Sequence, residues 1–379
     1  MIGVSLDARP VAFVDIPRPC WDELLRRTQA ATPFSRWTFH RAWWDAYGDT
    51  AHEQYLACVN AGTVDIDWQD VRAIVPLMHR HELEPDDIAQ RTVVRAHQPT
   101  CTSVPGEAKA VFFGASYHAD YATVLARPAD LPDVASATAR ALAQPPDTHH
   151  GSQPWDVVDL RRLRHDDPAL AALESALRAA DEGWAVVREQ EDVCPVVSSP
   201  SGDWDEYLAT LDKKARHEIR RKLRRAAAVG ELTIEISAPT TDAVDSFIDL
   251  HRLRFGDQGL FPDNEGGRRS RRFIHRLAEL ELAEPDGGQL HVALVRCGQR
   301  LVFVALAFDD GQTCFLYNAG MDPAAAEVSP GVTGTAEYIR DRLAAGRRRF
   351  DFLRGDESYK YEWGAHDEPI ERLLVMRGQ

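Results

Sequence analysis

A mixed α/β fold laid out as two domains is what the sequence predicts, and three observations carry that expectation. The chain has 379 residues, more than one ordinary domain holds. Hydrophobic residues make up 44% and charged residues 27%, which supplies material for more than one core. The C-terminal half sets amphipathic helices around a three-stranded run whose tight turns are written in glycine and aspartate.

Taken in order, Pro19–Ala30 and Phe34–Tyr47 read as helices, the second placing Trp37, Trp43 and Trp44 in the core. Gln54–Val59 and Val71–His79 have strand content, separated by a stretch that opens with the turn former Asn60–Gly62. Thr92–Val94 and Ala110–Phe113 are shorter strands, and Leu131–Ala143 is a helix with an alanine-rich face. The loop Pro145–Gln153 leads to strand Trp155–Leu160 and helix Pro168–Gly183. Val186–Val187 and Cys194–Ser198 bracket the crossing between halves, so the expected domains are residues 1–195 and 196–379.

The second half is the clearer one. Leu211, Ala215, Ile219 and Leu223 recur every four residues, which predicts one long helix over Trp204–Val229, stopped by Gly230. Leu232–Ile236 alternates as a strand, and Thr241 or Asp242 caps a helix carrying Val244, Phe247, Ile248 and Phe255. Arg269–Leu282 is a further helix. Strands Gln289–Arg296, Arg300–Asp309 and Gln312–Ala319 follow, with Gly298 and Asp310–Gly311 at the turns. A turn at Ser329–Gly331, helix Val332–Ala345, strand Arg349–Leu353, an aromatic and charged loop, and strand Ile370–Met376 close the chain.

Composition excludes several classes. The net charge of −15 disfavours general binding to nucleic acid or to an anionic membrane. Apolar runs such as Ala73–Met78 and Leu301–Phe308 are strand-length, far below the roughly 20 residues of a membrane span. Met1–Asp15 lacks the basic start and apolar segment of a signal peptide, so a cytoplasmic protein is expected. The six cysteines are scattered singly, and His149–His150 has no ligand spacing around it, so neither a disulfide framework nor a metal is expected.

Four stretches carry chemistry. Val328–Thr335 holds glycines ahead of a helix, where backbone N–H groups and the positive dipole end can meet a phosphate; an ordinary helix start capped by Ser329 is the plainer reading. Phe350–Ala365 is the densest, with Asp351, Asp356, Glu357, Tyr359, Lys360, Tyr361, Glu362 and Trp363 after a strand end; it is either a reactive loop or a structural one with solvated ion pairs. Lys360 and Lys109 are the only lysines outside the 213–222 cluster, so a flexible point charge is selected there. Lys213–Arg225 is strongly basic, Arg220 included; it is either a solvated face or a holder of an anionic group. His251 and Arg254 lie about one helical turn apart and can face a cleft together, though a lone helical histidine is more often structural.

In their order these stretches resemble the acyltransferases of the GNAT fold, of the CelD/BcsL type linked to cellulose biosynthesis, which are distantly related to the FemABX peptidyltransferases. The resemblance rests on Pro33–Trp44, Ile219–Leu223, Leu250–Arg254, Tyr317–Gly320, Ser329–Gly331, Phe350–Phe352, Gly355–Lys360 and Trp363. The Phe-Asp-Phe strand followed by Gly-Asp-Glu-x-Tyr-Lys-x-x-Trp is the most specific part.

The resemblance implies two tandem GNAT-like domains, the second carrying the donor site, with the acceptor in a cleft between the halves. Acetyl-CoA or another acyl-CoA is then the co-substrate, without a metal, and the acceptor is a small or carrier-linked amine or hydroxyl. Donor contacts fall to Tyr317, Asn318, Ser329, Gly331, Val332, Thr333 and Gly334, with backbone N–H groups on the pyrophosphate and on the thioester oxygen. Asp356 or Glu357 is the base, Tyr359 or Tyr361 protonates the leaving thiolate, and Lys360 stabilises charge or orients the acceptor. Arg220, His251, Arg254, Asp351 and Trp363 contact substrate. The superfamily's pyrophosphate loop reads Q/R-x-x-G-x-G/A, whereas the aligned positions here are Val328, Gly331 and Thr333. That departure keeps two alternatives open: an aminoacyl-tRNA donor, and a non-catalytic binding scaffold of a polysaccharide-assembly system.

Overall fold

A computed structural model describes residues 5–80, 101–104, 108–144 and 155–377. The expected strand Thr92–Val94 and the His149–His150 pair lie outside the described residues. Residues 193–368 form one compact unit and the other described residues form a second.

The first unit runs β1 (Leu6–Val11), α1 (Arg18–Arg27), α2 (Trp37–Tyr47), β2 (His52–Glu53), β3 (Tyr55–Asn60), β4 (Ala73–Val75), β5 (Leu77–Arg80), β6 (Ala110–Phe113), β7 (Leu125–Ala126), α3 (Leu131–Ala143), β8 (Val157–Arg164), α4 (Pro168–Ala180) and the start of β9 (Trp184–Ser198). Its second, third and fourth strand positions are each split in two. Pro76, which has no N–H to give a ladder, separates β4 from β5, and its carbonyl takes the Gly114 N–H at 2.7 Å instead. The pieces pair as β1–β3–β4–β7 and as β2–β5–β6–β8. β6 and β8 are parallel, as the intervening helix α3 requires. Trp43 is fully buried, and Trp37 and Trp44 pack against the core from its edge.

In the second unit come α5 (Trp204–Thr210), α6 (Lys213–Val229), β10 (Leu232–Ser237), α7 (Thr241–Phe255), α8 (Glu265–Leu282), β11 (Leu290–Cys297), β12 (Arg300–Asp309), β13 (Thr313–Met321), α9 (Pro330–Ala344), β14 (Arg349–Asp351), α10 (Ser358–Tyr361) and the start of β15 (His366–Arg377). The strands stand in the order β10-β11-β12-β13-β14 with the end of β9 beyond them. Only β13 and β14 pair in parallel, with α9 as the crossover. Both units therefore show the same succession: strand, two helices, three antiparallel strand positions, helix, and a fifth strand parallel to the fourth. A mixed α/β fold in two halves of like order follows from this succession.

Several elements differ from expectation. The long helix over 204–229 is two helices: Leu211 turns extended and buries its side chain, and Asp212 caps α6 by accepting the Lys214 N–H at 2.8 Å. Thr240, not Thr241 or Asp242, caps α7. Asn264 caps α8 through the Gly267 N–H at 2.9 Å, starting that helix four residues early. Ser329 is no side-chain cap at all; it takes the left-handed conformation, φ 53°. Residues 369–377 group with the first unit rather than with the second half, because β15 pairs along β8 from Ile370 to Met376.

Candidate functional site

The second unit opens where β13 leaves its neighbours. Along β12 and β13, Leu306 faces Asn318 and Ala307 faces Leu316, so Tyr317 is an extra residue, a bulge that re-aims the backbone around it. On its other side β13 pairs with β14 only from Thr313 to Phe315, and beyond that point the ladder between them ends. Asn318 folds back so that its Oδ1 accepts the Ala319 N–H at 2.8 Å. Helix α7 presses on the same strand so closely that a Cβ on Gly320 would stand 2.4 Å from the His251 nitrogen. The two strands therefore part beyond Phe315, and on the bulged side Leu316 to Ala319 are half-buried.

Because β13 and β14 are parallel, the segments that follow them leave from the same edge. After β13, Asp322 caps a 3-10 turn over Pro323–Val328, Ser329 reverses the chain, and α9 begins. The Ser329 carbonyl already accepts the N–H groups of Val332 at 3.0 Å and Thr333 at 3.1 Å. Thr333 is fully buried, its hydroxyl donating to the Val328 carbonyl at 3.2 Å. A Cβ on Gly334 would meet Phe303 Cγ at 2.2 Å, so this glycine lets α9 lie on β12. Of the expected donor-binding residues, Thr333 and Gly334 are therefore packing residues, and Val332 has its amide engaged. Ser329 and Gly331 remain half-buried at the turn, and nothing cationic stands between residues 322 and 334. Its two carboxylates, Asp322 and Glu327, are met by Arg300 at 2.6 and 3.8 Å.

After β14 the chain makes a tight knot. Asp351 is buried, and its Oδ1 accepts the Leu353 N–H at 2.8 Å. Leu353 is left-handed (φ 57°) and Gly355 also has positive φ, at 106°. Their carbonyls, with that of Arg354, converge on Lys360 Nζ at 2.8, 2.9 and 3.0 Å. The Glu357 carboxylate stands 3.0 Å from the same ammonium. Lys360 is 3% exposed. Its donors are consumed in holding the loop, which corrects the expectation that it stabilises charge on substrate: it is a positioning residue.

Asp351 likewise shapes the turn rather than meeting substrate. Trp363 belongs to the core, its carbonyl accepting the Tyr207 hydroxyl at 2.7 Å. Tyr361 donates its hydroxyl to Asp367 at 2.6 Å, away from a role on the leaving thiolate. Asp356, Glu357 and Tyr359 are left at the surface of the knot.

Helix α7 supplies the remaining predicted pair. His251 is buried among Phe247, Phe255 and Phe261, and its Nδ1 has no hydrogen-bond partner among the described residues. Burial, aided by the Arg254 charge, lowers its pKa to about 4, so it is neutral near pH 7. Arg254 is exposed; partial burial pulls its pKa down, while the charges of Tyr359 and Glu357 pull it up. The structure thus brings Arg254, Glu357 and Tyr359 together. Arg220 is elsewhere in its commitments, ion-paired with Asp205 at 2.8 Å on exposed surface.

Sequence reasoning missed the bulge at Tyr317 and the Asn318–Ala319 contact. It also missed the packing of Phe303 and Met321 behind the two glycines. The bulge and the glycine packing have no local signal, since each depends on the strand or helix across from it; the Asn318–Ala319 contact is local, and the asparagine is its one trace in the sequence. The equivalent position in the first unit lacks the donor features: α3 opens with Leu131-Pro-Asp133 after Asp130, acidic and without glycine.

Residues 213–361 match the family profile described as Acetyltransferase (GNAT) domain, a span that contains the bulge, the Ser329 turn and the Lys360 knot. No curated protein matches the chain in sequence. Among solved structures, the chain is similar to FemX at 10% identity, with a TM-score of 0.58 over 94% of this chain and 96% of that one. It is similar to the C-terminal domain (DUF2156) of a putative lysylphosphatidylglycerol synthetase from Agrobacterium fabrum at 11% identity, TM-score 0.53 being reached by a third protein and 0.52 by this one. That domain is matched over 97% of this chain and 92% of its own. The third, a conserved protein of unknown function from Bacteroides thetaiotaomicron, is matched at 11% identity over 97% and 99%. At these identities the likenesses show a shared fold. The profile match supports an acyltransferase domain of GNAT type over residues 213–361. No described helix is long and apolar enough to cross a membrane.

Proposed function

We propose that the protein transfers an acyl group, acetyl being the simplest, from a pantetheine thioester such as acetyl-CoA to an amine or hydroxyl acceptor. The observation that carries this reading is the bulge at Tyr317 beside the point where β13 and β14 part. A thin arm fits a slot between strands, and the backbone of a bulge is re-aimed toward whatever lies there. A backbone N–H near Tyr317–Gly320 is the donor suited to the thioester oxygen as charge develops on it; that of Ala319 is already given to Asn318 Oδ1. Ser329 and Gly331 lie where the phosphate end of the arm leaves the same edge.

Asp356 or Glu357 removes the acceptor proton, Tyr359 returns one to the departing sulfur, and Arg254 faces both Glu357 and Tyr359. Two measurements test this. Acetyl-CoA at about 100 times its dissociation constant adds roughly 2.7 kcal/mol to native stability, read as a thermal shift. With a panel of amines and hydroxyls, release of free thiol falls roughly a hundredfold or more in Glu357→Gln and Tyr359→Phe. Unchanged thiol release in both variants sinks the site assignment, and no shift with any pantetheine thioester sinks the donor.

A further inference from the structure

Helix α6 carries eight cationic side chains and one carboxylate in its first thirteen residues, within a chain of net charge −15. Some of these charges are answered internally. Arg220 pairs with Asp205 at 2.8 Å, Arg221 and Lys222 with Glu218 at 2.6 and 3.5 Å, and Arg216 donates to the Ala209 carbonyl at 3.0 Å. Lys213, Lys214, Arg224 and Arg225 are exposed and form no ion pair among the described residues. They fall into two clusters at the ends of one straight helical stretch, about 16 Å apart. The opposite face of α6, with Ile219 and Ala226, is buried against the core, and the helix packs on the 323–328 turn and on α9.

The donor turn that α6 braces is poor in phosphate-binding groups. It has no cation of its own, and the Val332 and Thr333 amides are engaged by Ser329. Free CoA brings a pyrophosphate and a ribose phosphate, whereas a pantetheine arm carried on a protein brings a single phosphodiester. One hydroxyl and one backbone amide, at Ser329 and Gly331, suit the second better than the first.

We propose that the acyl donor is presented on the phosphopantetheine arm of a small acidic carrier protein, and that Lys213, Lys214, Arg224 and Arg225 dock its acidic surface. This rests on the acyl-transfer reading. The carrier's C–S thioester bond breaks, the acyl carbon bonds to the acceptor nitrogen or oxygen, and the acceptor's proton ends on the carrier thiol. RNA is the rival polyanion. The helix offers no Phe, Tyr or Trp for base stacking, and its cations suit a facing helix of opposite charge.

The test measures binding of an acetylated acyl carrier protein, of bulk tRNA and of acetyl-CoA to the full chain, at low and at physiological salt. The same ligands are then offered to the variant K213E/K214E/R224E/R225E, its folding checked by circular dichroism. A neutral counterpart with glutamine at the four positions guards against misfolding of the reversed one. Carrier affinity is expected to fall roughly tenfold or more in both variants and with added salt, while acetyl-CoA binding stays unchanged. Carrier binding that is absent, or equal in wild type and variants, overturns the proposal, as does a charge-dependent affinity for tRNA that exceeds the affinity for the carrier. Acyl-transfer failure looks different: the carrier docks in a charge-dependent way, yet its thioester is never consumed and acetyl-CoA gives no thermal shift.

Discussion

At the scale of single residues, Lys360 shows how a side chain that reads as catalytic can be spent on architecture. A buried ammonium facing three carbonyls and a carboxylate makes the left-handed Leu353 and the sharp Gly355 turn hold together. Truncation leaves those acceptors in a dry site without a donor, which costs about 3 kcal/mol or more. Lys360→Met is therefore expected to lower the thermal unfolding midpoint sharply. Lys360→Arg does not rescue it, because a planar fork cannot meet three carbonyls that converge on one point. A midpoint within experimental error of wild type in Lys360→Met refutes the positioning role. The sequence did signal this residue, through the scarcity of lysine, but gave no indication of which way it points.

Among elements, the packing of α9 on β12 depends on one glycine and tolerates change at another. Gly334→Ala places a methyl group 2.2 Å from Phe303 Cγ and 2.4 Å from Cδ1, so the helix must lift or the ring must move. Overpacking of this kind costs about 1–3 kcal/mol. Gly331→Ala meets only the terminal Met321 Cε at 2.8 Å, the far end of a flexible side chain, and is expected to be nearly neutral for stability. Denaturant unfolding of the two variants side by side checks the contrast, and equal losses would contradict it. The strands and helices of this half were legible because period and turn residues are local. The break in the expected 204–229 helix was not: Leu211 keeps the apolar repeat in register whether the helix continues or stops. Likewise Ser329 reads as a cap from its residue type, while in the fold its backbone is left-handed and its N–H closes the preceding 3-10 turn on the Ala326 carbonyl at 3.1 Å.

For the whole molecule, four buried histidines couple stability to pH. Burial lowers the pKa of His40 and His118 to about 3 and of His251 and His291 to about 4. An unfolded histidine protonates near 6.5, so between that value and 4 the unfolded chain binds protons that the folded one does not. Stability is then intact above about pH 6.5 and falls as the solution is acidified, by about 3 kcal/mol at most for His251 on reaching pH 4. Unfolding midpoints measured from pH 7.5 down to 5 should decline. His251→Phe, which sets a ring among Phe247, Phe255 and Phe261, should remove that residue's share of the slope. An identical slope in wild type and variant would show that His251 does not contribute.

The doubled succession of elements offers two crossover helices for comparison, and they begin differently. One starts from Ser329-Pro-Gly331, the other from Asp130-Leu-Pro-Asp133. In the first unit β6, the first piece of the fourth strand, runs out at Gly114, where any added carbon would strike the Tyr55 hydroxyl at 2.8 Å and stand 3.5 Å from the His40 ring. Gly114, His40, Phe113 and Tyr121 line a small cavity there. That space is walled by aromatic rings, whereas the corresponding place in the second unit is edged by the half-buried Ser329 and Gly331.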